Sequence, residues 1–112
     1  MDIQELVRAQ RAYFLSGATR SYAFRMEQLK KLQQALRSNE ALLEQAMYQD
    51  FRKAPMEVYM CETGMVLEEL RFHLKHLKGW MRERAVPTPL AQFHAKSFVS
   101  PEPYGVALII SP

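Results

Sequence analysis

Near the C-terminal end of the 112-residue chain runs Val106-Ala107-Leu108-Ile109-Ile110, five apolar residues with no polar interruption. A short run of this kind, rich in β-branched residues and without alternation, is what a strand looks like when both of its faces are covered. That is the usual state of strands in parallel α/β sheets. The preceding stretch, Ser97 to Gly105, carries Pro101, Pro103 and Gly105 and reads as a bend feeding the strand. A parallel neighbour requires a crossover of about a dozen residues or more, and only Ser111 and Pro112 follow. The expectation is therefore a strand whose sheet lies elsewhere, in a chain that is a piece of a larger α/β protein.

Everything before that run reads as helical. Asp2-x-x-Glu5 resembles a capping box. The first helix carries Ile3, Leu6, Val7, Tyr13 and Phe14 near one face, and Gly17 is its stop. Ser21 is placed to cap a second helix with the stripe Tyr22, Met26, Leu29, Gln33, Leu36. Asn39 is placed to cap a third, burying Leu43, Ala46, Met47 and Phe51. Pro55 suits the first turn of a long fourth helix running to about Arg84. Its seam is Met60, Gly64, Leu67, Leu70, Leu74, Leu77, Met81, widened by Val58, Cys61, Met65 and Phe72. Pro87-Thr88-Pro89 closes the helical part, and Phe98-Val99 is a second, shorter strand candidate.

The totals exclude several classes. Fifteen Lys and Arg against twelve Asp and Glu give a net charge of +3, mixed in sign along the chain, and no nucleic-acid signature accompanies it. A single cysteine, Cys61, rules out an internal disulfide framework and makes a reducing compartment the default. The N-terminus lacks a signal pattern and no apolar run approaches the ~20 residues of a membrane span. The chain reads as cytoplasmic, with no nucleic-acid partner and no transmembrane segment.

Side chains with chemical potential are sparse. Glu69, His73 and His76 share a helical face at a spacing compatible with part of a metal site. Glu62, Lys75 and Arg82 lie near them, so a solvated face is the plainer reading and no metal is expected. Cys61 sits among Met60 and Met65 and reads as a buried, inert thiol rather than a nucleophile. Trp80 with Lys78, Arg82 and Arg84 reads as a helix end whose cations complement its negative pole. The seven methionines fall mostly on helical seams and read as core filling. No Gly-rich phosphate loop, Ser-His-Asp arrangement or paired-carboxylate constellation can be assembled. No catalytic residue is expected within the chain.

Several stretches recur together in one family. Glu102-Pro103-Tyr104-Gly105-Val106-Ala107-Leu108-Ile109-Ile110-Ser111-Pro112 resembles a Glu-Pro-x-Gly-Val lead-in to a first cofactor-domain strand. Thr19-Arg20 with Phe24-Arg25-x-x-Gln28-Leu29 resembles the same family's second helix. Asp50-Phe51-x-Lys53, Glu62, Leu67-Glu68-Glu69-Leu70 and Trp80 match in order thereafter. The family is the aldehyde dehydrogenase superfamily, in its class 3 branch of fatty and aromatic aldehyde dehydrogenases, and the likeness covers the chain from Ile3 onward.

This resemblance implies an NAD(P)-dependent oxidation of aldehydes to carboxylic acids. In the family a Cys thiolate attacks the aldehyde, hydride leaves the resulting thiohemiacetal for the nicotinamide, and a Glu activates the hydrolytic water. An Asn helps stabilise the oxyanion. That Asn belongs to a Trp-Asn pair expected directly after Pro112; the Glu and Cys are expected far downstream. Cys61 does not match the catalytic position. Ile110, Ser111 and Pro112 match the strand end that lines the nicotinamide-ribose side of the cofactor cleft, where ligands of open α/β sheets bind.

The resulting expectation is a mostly α chain, about four helices then one or two strands, forming the N-terminal part of an α/β aldehyde dehydrogenase fold with a Rossmann-like cofactor domain. Residues 1–86 would be the helical part packing on that domain. Residues 87–104 would lead toward the oligomerisation region, and residues 105–112 would be the truncated first strand. The parent would be a homodimer, and the chain by itself inactive. The competing expectation is a free-standing helical module for protein interactions, using its long helix or adding its strand to a partner's sheet.

Overall fold

The computed structural model describes residues 2–110. Helix α1 spans Ile3–Leu15. Asp2 occupies its N-cap with extended backbone (φ −68°, ψ 140°), but its carboxylate makes no capping bond, so the boundary is as expected and the capping box is not formed. The helix stops two residues before Gly17, and the Arg20 N–H donates to the Gly17 carbonyl (3.0 Å) to close the turn. Ser21 performs the predicted capping of α2 (Tyr22–Ser38): its Oγ accepts the Phe24 N–H at 3.1 Å. Met26, Leu29, Gln33 and Leu36 on the expected stripe are half-buried.

Helix α3 covers Glu40–Phe51. Asn39 stands at its N-cap but serves the other helix: its Nδ2 donates to the Ala35 carbonyl of α2 at 2.8 Å. Leu43 and Met47 are half-buried as expected, whereas Ala46 and Phe51 are exposed. The helix ends at Arg52, which takes the left-handed conformation (φ 59°) more often given to Gly or Asn. Its guanidinium lies 5.2 Å from the Tyr48 ring centroid, a cation–π contact that offsets part of the backbone cost.

The expected long helix is present but interrupted. It comprises α4 (Pro55–Val58), a π-helical turn (Tyr59–Thr63) and α5 (Gly64–Trp80). In the π turn the Gly64 N–H donates to the Tyr59 carbonyl, five residues back. One extra residue per turn moves the apolar face. Val58 and Thr63, five apart, stack on the same side and are both buried, while Met60, Cys61 and Met65 turn outward. The seam predicted from a uniform 3.6-residue period therefore holds from Gly64 onward, with Leu70 buried and Leu67, Leu74, Leu77 and Met81 half-buried, and fails before it. Gly64 is required by this geometry. A Cβ there would fall inside van der Waals contact of the Tyr59 carbonyl oxygen. The helix ends at Trp80 rather than near Arg84.

Arg84 instead opens β1 (Arg84–Val86), which pairs antiparallel with β2 (Ser97–Val99) in the register Arg84↔Val99, Ala85↔Phe98, Val86↔Ser97. Phe98 and Val99 are thus in a strand as expected. The connecting loop carries Pro87, Pro89 and a 3₁₀ turn at Leu90–Gln92, and is tied across by Thr88 Oγ1, which accepts the Ser97 N–H at 3.0 Å.

The expected strand over Val106–Ile110 is not formed: these residues lie outside any strand, and the one sheet among the described residues contains β1 and β2 only. A strand is stabilised by its neighbour's backbone groups, and no strand among the described residues pairs with this run. The described residues are mostly α, with five α-helical segments counting α4 and α5 separately and one two-stranded antiparallel sheet. It divides into two compact units, Met1–Phe24 with Lys78–Pro112, and Arg25–Leu77. All buried side chains among the described residues, Val58, Thr63 and Leu70, belong to the second.

Candidate functional site

The stretch matched to the lead-in of the family's first cofactor-domain strand begins where residues 102–105 meet the end of α1 and the start of α2. Arg20 Nη2 donates to Glu102 Oε2 at 2.6 Å across 82 residues of sequence. Both side chains are more than half exposed, so the pair adds no more than about 1 kcal/mol to stability and acts chiefly through its geometry. Gly105 follows with φ +109°, a conformation L side chains rarely adopt, and its Cα faces the Phe14 ring, whose nearest carbon would lie 3.5 Å from an added Cβ. Phe14 is half-buried, and its neighbour Tyr13 meets Phe24 edge-on with ring centroids 6.4 Å apart. Beyond Gly105 the apolar side chains emerge: Leu108, Ile109 and Ile110 are 85%, 87% and 84% exposed. Of the three residues matched to the cleft, Ile110 is therefore open to solvent, and Ser111 and Pro112 lie outside the described residues.

A second ion pair orders the entry to the π turn. Lys53 Nζ lies 2.5 Å from Glu62 Oε1, and the carboxylate bonded to it holds the Lys53 ammonium above its ordinary pKa. Beside it, Leu36, Leu43, Met47, Val58, Thr63 and Val66 line an apolar hollow of about 230 Å³ with Glu62 at its edge. The Thr63 hydroxyl is buried without a hydrogen-bond partner.

The other candidates resolve locally. His73 Nδ1 lies 2.8 Å from the Glu69 carbonyl and His76 Nδ1 2.8 Å from the Phe72 carbonyl; since a carbonyl only accepts, each Nδ1 carries the proton. His76 also packs on Phe72 with centroids 4.1 Å apart. The two imidazoles are thus oriented by their own helix. Among the described residues no group of three or more His, Cys, Asp or Glu side chains converges as metal ligands. Cys61 is exposed, contrary to the buried thiol expected, because the π turn rotates it off the apolar face. Trp80 is 46% exposed at the end of α5. No helix among the described residues is long and apolar enough to cross a membrane.

Two ion pairs join residues of separate matched motifs. Arg20 and Glu102 come from two different stretches, and Lys53 and Glu62 from two others, yet each couple meets in space. Sequence reading picked out all four residues and neither partnership. Opposite charge at motif positions was the available signal, and separations of 82 and 9 residues give no periodicity by which to use it.

Comparison with known proteins agrees. The whole chain, residues 1–112, matches the aldehyde dehydrogenase family. It is 41% identical over 102 residues to the 4,4'-diaponeurosporen-aldehyde dehydrogenase of Staphylococcus aureus, covering 91% of this chain and 22% of that protein. It is 38% identical to aldehyde dehydrogenase family 3 member B1 of Bos taurus, again covering 91% and 22%. The solved substrate-bound state of Staphylococcus aureus AldH superposes with a TM-score of 0.83 at 38% identity, covering 93% of this chain and 23% of that one. The chain belongs to the aldehyde dehydrogenase family. Family 3 members stand among its relatives, as the class 3 resemblance implied, and its fold is part of the aldehyde dehydrogenase fold. It spans between about a fifth and a quarter of the length of the relatives it matches.

Proposed function

We propose that this chain is the N-terminal helical part of an NAD(P)-dependent aldehyde dehydrogenase that oxidises aldehydes to carboxylic acids. The observation that carries the reading is the family match over the whole chain, supported by the close superposition on a solved aldehyde dehydrogenase. In this reading residues 1–86 pack on the cofactor domain, residues 87–104 lead toward the oligomerisation region of a homodimer, and residues 105–112 enter the cofactor-domain sheet as its first strand. The location is cytoplasmic.

The exposed run Leu108 to Ile110 suits that role, since its apolar side chains need cover on both faces and its backbone needs strand neighbours. Ile110, Ser111 and Pro112 would form a wall of the cleft on the nicotinamide-ribose side. Ile110 and Pro112 would offer apolar surface to the ring and its ribose and Ser111 a hydroxyl, with no charged side chain for phosphate. The bound nicotinamide supplies the hydride acceptor. The residues of this chain orient and exclude water; nucleophile and general base belong to the rest of the parent, so residues 1–112 are inactive by themselves.

The test is an assay of aldehyde-dependent reduction of NAD+ and NADP+ by the full-length protein and by residues 1–112. Activity confined to the former is expected. Failure of the full-length protein with both cofactors, across aliphatic and aromatic aldehydes, would overturn the assignment.

A further inference from the structure

We propose that Arg20 is a positioning residue: through Glu102 it fixes the direction in which residues 105–110 leave the α1–α2 corner, and so sets the edge of the cofactor cleft. The inference rests on the functional reading above. Three observations within one compact unit carry it. Arg20 is itself held, because its N–H closes the turn on the Gly17 carbonyl and α2 begins two residues later under the Ser21 cap. Its guanidinium reaches Glu102 at 2.6 Å, making an ion pair between the second helix's start and the strand's lead-in. Three residues on, Gly105 turns with φ +109° against the Phe14 ring.

The lead-in is thus held at two points, by charge at Glu102 and by packing at Gly105, with Pro103 between them restricting the backbone. A chain held at two points leaves in one direction. The pair is exposed, so its loss changes that direction more than it changes global stability. A shift of about 1 Å at a binding edge is felt far more in binding and alignment than in folding.

The test uses Arg20→Gln, Glu102→Gln, the double variant and the exchanged pair Arg20→Glu/Glu102→Arg in the full-length protein. Hydrogen exchange of the peptide covering residues 102–110 reads the restraint directly; steady-state kinetics read its consequence. Each single variant is expected to speed exchange in that peptide and raise the KM for the nicotinamide cofactor about three- to tenfold, with kcat and melting temperature little changed. The double variant should be no worse than either single, and the exchanged pair should recover most of the loss. Unchanged exchange in both single variants would overturn the proposal, whatever the activity. Faster exchange with an unaltered cofactor KM would overturn the link to the cleft. Faster exchange in a protein that oxidises no aldehyde would leave the restraint standing and remove the functional reading instead.

Discussion

The unit Arg25–Leu77 and the unit formed by Met1–Phe24 with Lys78–Pro112 are built from similar amounts of apolar sequence and use it differently. The first contains every buried side chain among the described residues: Val58, Thr63 and Leu70. The second contains none among the described residues, and it is held by an exposed ion pair, the packing of Gly105 on Phe14, one edge-on ring pair and a hairpin of two three-residue strands. Its most apolar run, Val106 to Ile110, is also among its most exposed. One unit encloses a small core of its own. The other presents exposed apolar side chains at Leu108 to Ile110 that no strand among the described residues pairs with. In the proposed enzyme that partner is the cofactor-domain sheet.

This difference can be broken or sharpened by substitution. The largest effect is expected from Leu70→Ala, which opens a cavity in the first unit and should cost about 2–5 kcal/mol; Ile109→Ala in the second should stay within about 0.5 kcal/mol. Equal losses on urea denaturation would show that the contrast is false. Next is Gly64→Ala. In an ordinary helix interior this change gains about 1 kcal/mol. Here the Cβ meets the Tyr59 carbonyl, so a loss of about 1–3 kcal/mol is expected. A gain would mean that the π turn relaxes to α at no cost. Val106→Lys with Ile109→Lys should raise the soluble fraction of residues 1–112, because it places charge on an exposed apolar edge; unaltered sedimentation would dissociate that surface from any self-association.

The smallest effect concerns pH. The folded-state pKa of Lys53 is raised, foremost by its hydrogen bond to Glu62. Its contribution is fully present below the unfolded lysine value of about 10.4 and is lost as pH rises through the raised folded value. The melting difference between wild type and Lys53→Met should therefore shrink in that alkaline window. A difference independent of pH there would detach Lys53 from the stability of the first unit.

What could be read in advance divides along the same physical lines. Local devices were legible: the stop before Gly17, the Ser21 cap, Pro55 at a helix start and the seam from Gly64 to Met81 each follow from one residue's chemistry or one helical period. The π turn was not, because a period of 3.6 residues has no place for an added one; its trace in the sequence is Gly64, a small residue on a large-residue seam, which reads equally as room for a neighbouring helix. Cys61 was misplaced for the same reason. The end of α5 at Trp80 was missed because charged residues 82–84 are as compatible with a helix as with the short strand that pairing with Ser97–Val99 selects. The apolar run at 106–110 shows the converse: its β character is plain in the sequence, and without a strand beside it that character produces no ladder. At the candidate site, the chemistry of Arg20, Glu102 and Gly105 was visible and their meeting was not.

In the proposed function these residues form the helical preface of a larger aldehyde-oxidising enzyme. The most direct test is the mass and sequence of the native cellular product. The expected product is a protein several times the 13.1 kDa of this chain, with Trp-Asn directly after Pro112 and a Cys and a Glu far downstream. A native product that ends at Pro112, or a longer one without those residues, would contradict the proposed function.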